Sequence, residues 1–127
     1  MRHAVFSSLT LALTLAGTSQ PAHAQNWVAV SLHPPGATSS SLNGLDATRQ
    51  AGSAVFGSRS EAVVWNGSAN SYTNLHPNNL FDGSSSTGFV NGVPVGSITD
   101  FVGRQHAVKW PTTPAAYIDL MPENCVQ

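Results

Sequence analysis

Asp46, Asp82 and Asp100 are the carboxylates that a hydrolytic site in this chain would draw on. General acid and base work needs two such groups flanking a scissile bond, and their sequence positions do not by themselves bring any two together. Trp65 and Trp110 could stack on a sugar face, but their recurrence at one position of a repeat is what core packing produces, and packing is the expectation. His33 and His76 share a corner position one repeat apart, so they do not converge as a metal pair, and Met121 takes the same place in the last copy. They are read as turn residues. His106 alternates with Glu61 and marks a polar strand start. The chain contains no Gly-x-Ser-x-Gly elbow, no His-Glu-x-x-His and no Cys-x-x-Cys. Asp82-Gly83-Ser84-Ser85-Ser86 carries too few acids for a calcium loop. The expected inventory is therefore no catalytic constellation, no metal and no cofactor.

The elements that would position any site come from a repeat. Glu61-Ala62-Val63-Val64-Trp65 and Ser71-Tyr72-Thr73-Asn74-Leu75-His76-Pro77 return, 45 residues later, as His106-Ala107-Val108-Lys109-Trp110 and Ala116-Tyr117-Ile118-Asp119-Leu120-Met121-Pro122. Trp65, Tyr72, Leu75 and Pro77 thus match Trp110, Tyr117, Leu120 and Pro122, and these eight residues define the repeat. A third, partial copy opens with Val28, Val30 and Leu32 alternating with small residues and closes at His33-Pro34, which predicts a leading strand within residues 25–35. Trp27 lies outside the register and is expected at the surface.

Repeat 1 covers residues 40–77 and repeat 2 residues 86–122, with a tail at 123–127. Strands are predicted at Ser41–Ala47, Gln50–Gly57, Glu61–Trp65 and Ser71–Leu75, then at Thr87–Val90, Val93–Ile98, His106–Trp110 and Ala116–Leu120. Residues 35–41 and 78–86 read as loops. Asn66-Gly67 and Asn91-Gly92 are hairpin-turn dipeptides. Asn66-Gly67-Ser68 also fits a glycosylation sequon. After the leader no stretch has helical periodicity, and frequent Gly and Pro oppose it. The fold class is all-β: tandem four-stranded antiparallel repeats of about 45 residues, β-propeller-like blades in a partial propeller.

At these residues the chain resembles the extracellular repeat proteins of the HAF type. His106-Ala107-Val108 with Trp110, Glu61-Ala62-Val63 with Trp65, and the corners ending at Pro77 and Pro122 carry the resemblance across nearly all of the chain after its leader. Neither copy has Phe at the third motif position, and Glu61 replaces the His in one. The resemblance implies an exported, propeller-like array and adds no catalytic residues.

Composition bounds the function classes. Arg2 and His3, the run Ala4–Ala16, and Ala22-His23-Ala24 make residues 1–24 a signal peptide cleaved near Ala24, so a secreted or periplasmic protein is expected. That run is too short to span a bilayer, and no membrane span is expected. Residues 25–127 hold Arg49, Arg59, Arg104 and Lys109 against six acids, which gives nucleic acid no basic track. Cys125 is the single cysteine, so no intrachain disulfide forms and stability must come from packing or association. Two repeats leave open edges that a propeller of about four to eight blades would close. Self-association is the partner this predicts, beside carbohydrate or another protein. The functional expectation is an exported binding module or surface scaffold. A carbohydrate-active hydrolase, a lectin-like sugar binder and a non-functional fragment of a longer array are the alternatives.

Overall fold

A computed structural model describes residues 26–77, 81–111 and 116–122. The expected signal peptide (1–24), the tail (123–127) with Cys125, and parts of the loops after Pro77 and Trp110 lie outside the described residues. The described chain is all-β. β1 (Ser39–Leu45), β2 (Gln50–Phe56), β3 (Arg59–Trp65) and β4 (Thr73–Asn74) form one antiparallel sheet in chain order. β5 (Gly83–Val90), β6 (Val93–Thr99), β7 (Gln105–Lys109) and β8 (Ile118–Asp119) form a second sheet of the same order. Both sheets are open among the described residues, and no closed ring is formed.

The two sheets repeat each other in register. Leu42 faces Gly52 and Ser86 faces Gly96, each just before a bulge ending at Gly44 or Gly88. At these crossings only glycine fits, because a Cβ on Gly52 or Gly96 would land on the carbonyl oxygen of Ser41 or Ser85. The first two strands of the units are 44 residues apart and the last two 45. One extra residue in the turn between Asp100 and Arg104, against Gly57–Ser58, accounts for the change.

Four elements depart from the sequence expectation. The Val28–Leu32 segment is not a strand, and Trp27, as expected at the surface, is 88% exposed. Alternation makes a strand only where an edge offers bonds, and β4 already holds the outer edge of β3. The predicted loop 78–86 ends early, because β5 begins at Gly83 and the serine run pairs with β6. Serines read as loop residues, yet Ser84 and Ser86 are buried with their hydroxyls satisfied. Asn66-Gly67 does not make a tight hairpin: Asn66–Tyr72 joins β3 to β4 through a 3₁₀ turn at Ala69–Ser71, where the Ser71 hydroxyl accepts from the Asn66 amide at 2.9 Å. The fourth strands shrink to two residues each. Asn91-Gly92 does form the predicted turn, with φ of 49° and 76°, both positive as a type I′ turn requires.

β5 packs across β1, β2 and β3 and stacks the second sheet on the first. The shared core holds Ala51, Ala62, Val64 and Leu75 from the first sheet against Ile98, Val108 and Trp110 from the second. The opposite face of the first sheet buries Ala54, Val63 and Trp65 under Leu32, Ala37 and Tyr72. β3 therefore sends alternate residues into two cores, as the period of two demands. Among the described residues no helix is long and apolar enough to cross a membrane.

Candidate functional site

Stacking leaves a cleft of about 470 Å³ between the sheets at the Asn91-Gly92 end. That volume falls in the range of small-ligand sites. Its polar lining comes from Thr48, Arg49, Asn66, Ser71 and Thr73. Trp65, Trp110 and two prolines, Pro94 and Pro111, supply apolar wall.

Arg49 is built into this cleft from the β1–β2 loop. Asp46 accepts from the backbone N–H of Thr48 and Arg49 at 2.9 and 2.7 Å, which shapes the loop. The same carboxylate takes Arg49 Nε at 3.1 Å and Nη2 at 2.7 Å. Bonds from the Thr48 amide, then from Arg49, hold the Asp46 carboxyl below its usual pKa. Arg49 Nη2 also donates to the Gly92 carbonyl of the second sheet at 2.6 Å, and the guanidinium lies 4.6 Å from the Phe89 ring centroid. Its side chain is thus fixed from both sheets, and no hydrogen bond engages Nη1 among the described residues. A rigid cation with unengaged donors beside hydroxyl and amide groups is suited to oxygen-rich ligands.

The repeat-defining residues divide by their surroundings. Trp65 and Trp110 are 1% and 2% exposed, so the rings are packing residues, and only part of each reaches the cleft wall. Among the described residues neither indole N–H has a hydrogen-bond partner. Tyr72 stacks on Phe56 at 5.8 Å, and Tyr117 meets Phe81 edge-on at 5.6 Å. Leu75 and Pro77 are buried, whereas Leu120 is 50% exposed and Pro122 lies at the surface. The corner of the last copy therefore repeats Leu and Pro but not their burial, because no further sheet covers it among the described residues.

The histidines sort into two arrangements. His33 Nε2 lies 2.9 Å from the Ala37 carbonyl and so carries the proton, which leaves Nδ1 to accept from Ser40 at 3.0 Å. His76 repeats the contact: its Nδ1 lies 2.8 Å from Ser84 Oγ, which also accepts the Ala62 amide at 2.8 Å. Burial lowers the His76 pKa, with Arg59 adding to the effect and Glu61 opposing it. These are corner residues, as expected. Glu61 and His106 do share one position, and each bonds across to its outer strand, Glu61 with Asn74 and His106 Nδ1 with Asp119 at 2.8 Å.

The aspartates singled out in sequence do not assemble. Asp46 caps the β1–β2 loop; Asp100 caps the β6–β7 turn at the opposite end of the stack, accepting from the Val102 and Arg104 amides and from Arg104 Nε at 2.9 Å. Although desolvation opposes it, bonds from Arg104 and Val102 bring the Asp100 pKa down to about 2. A general acid needs the reverse shift. Asp82 is exposed at the start of β5. Among the described residues no group of three or more His, Cys, Asp or Glu is placed to hold a metal.

No family model, curated protein or solved structure matches this chain. The functional reading accordingly rests on its own geometry. Sequence reasoning missed Arg49; its signal was the Asp46-x-x-Arg49 spacing, which closes a four-residue loop on its own carboxylate.

Proposed function

We propose that this chain is an exported binding module of stacked, propeller-like sheets that holds an oxygen-rich ligand of carbohydrate type between its two sheets. The observation that carries the reading is Arg49, fixed over Phe89 by Asp46 and Gly92 at the wall of the cleft. Thr48, Asn66, Ser71 and Thr73 add neutral donors and acceptors of the kind that match ligand hydroxyls. The signal-like leader supports export. The matched registers, bulges and corners of the two sheets support a repeat array of the HAF type. Binding is favoured over hydrolysis because Asp46 and Asp100 are engaged in loop capping and held ionised.

A glycan array and saturation-transfer NMR with neutral and uronic-acid oligosaccharides test this. Binding is expected, with Arg49→Lys and Asn66→Ala each weakening it about tenfold, roughly one charged hydrogen bond or less. Asn66 is exposed and its side chain makes no hydrogen bond among the described residues, so that variant should melt like the parent. No binding to any glycan, or binding that ignores both variants, overturns the reading.

A further inference from the structure

The stack ends in two different open faces, and the contact between its sheets shows how they would fit each other. Within the chain, Ala51, Ala62, Val64 and Leu75 of the first sheet are buried by the second. The same positions on the second sheet are Val95, Ala107, Lys109 and Leu120, and none of them is buried. At the other end, Leu32 and Ala37 cover Trp65 as Leu75 and Phe81 cover Trp110. Thr38 N–H donates to Val55 O as Asp82 N–H donates to Thr99 O, both at 2.8 Å. His33–Ser40 repeats His76–Ser84. Residues 28–38 are thus the outer segment and corner of a sheet whose other strands are absent among the described residues. Around this corner Val30 is 63% exposed, and Leu42 and Leu45 are exposed as well.

We infer that two copies of this chain associate head to tail, the second sheet of one packing on the N-terminal face of the other. The Val28–Leu32 segment serves as the outer strand of the docked sheet, in the place β8 takes within a chain. Val30 stands where Thr73 and Ile118 stand in their units, so it pairs with Lys109 of the second copy, and Ser31 pairs with Val108. β8 is a two-residue strand, exposed at both residues, and holds β7 through two paired positions and the bond from Leu120 N–H to the Ala107 carbonyl at 2.8 Å. Its displacement loses the His106–Asp119 contact and frees the position for an alternating apolar segment. A second copy is the occupant because it brings the face that this chain already buries against an equivalent face. The contact is heterologous, so it closes a ring or propagates. The inference rests on the stacked-unit part of the proposed function and not on the cleft as a ligand site.

Cross-linking tests it, in a Cys125→Ser background. Val30→Cys chains are mixed with Lys109→Cys chains under mild oxidation. Paired residues of antiparallel strands have Cα atoms about 4.5–5.5 Å apart, within disulfide reach. The expected result is a disulfide-linked heterodimer from the mixture and little homodimer from either chain alone. Light scattering should show the uncross-linked parent growing in mass with concentration. Ile118→Pro, which weakens β8, should shift that growth to lower concentration, and Val30→Pro should abolish it. A monomer at every concentration with no cross-link overturns the inference, as does predominant linkage between like chains. A monomer that still binds a glycan overturns the inference alone. A cross-linked pair that binds no glycan overturns only the ligand reading.

Discussion

His76 is a buried imidazole with a hydroxyl on Nδ1 and a carboxylate, Glu61, among its electrostatic neighbours. Burial keeps its folded pKa below the usual 6.5, so the unfolded chain binds more protons between the two values. Its contribution to stability is complete above pH 6.5 and is lost as pH falls from there through the folded value. Melting temperature should therefore drop as pH falls below 6.5, and His76→Gln should flatten that step; differential scanning calorimetry at several pH values measures it. The tryptophans give a second residue-scale prediction. Trp65→Ala should cost about 3–5 kcal/mol by opening a cavity. Trp65→Phe should cost much less, because the indole N–H makes no hydrogen bond among the described residues. Urea titration of both variants separates packing from hydrogen bonding.

Strand crossings and turns decide the elements. Gly52→Ala and Gly96→Ala should each destabilise by about 3 kcal/mol, since the added methyl meets a neighbouring backbone carbonyl rather than a flexible side chain. The equal cost at the two sites would show that the bulges are equivalent, and chemical denaturation reads it. The Asn91-Gly92 turn was legible because two adjacent positive-φ residues have few other uses. Asn66-Gly67 used the same letters for a longer connection, since Ser71 supplied a side-chain acceptor to hold it. Ser84 and Ser86 were illegible as strand residues. Their burial depends on His76, Ala62 and Val95, which lie on other segments.

The two sheets share one core, and this sets the behaviour of the whole molecule. Ile98→Ala, on the second sheet, should cost about 2–5 kcal/mol and lower the stability of both sheets together. Hydrogen exchange should show amides of β2 and β6 losing protection in parallel; loss confined to β6 would mean that the sheets are independent units. Arg49, Asn43 and Ser84 tie the sheets with polar contacts on top of that core. None of these three was prominent in the sequence, because each partner belongs to the other repeat.

Periodicity by itself was enough to read the all-β class and two four-stranded units about 45 residues apart, but not every strand or its bounds. Alternation and turn dipeptides are local, and a residue's chemistry is enough to read them. Tertiary structure alone decided which copies of a repeated residue are buried. Leu75 and Leu120 hold the same repeat position, each three residues after a Tyr and two before a Pro, yet one lies beneath the second sheet and the other at the surface. It also decided that Arg49 belongs to a cleft and the aspartates to loops, because a site forms where segments distant in the chain meet. Sequence spacing does not encode that meeting until the sheets have stacked.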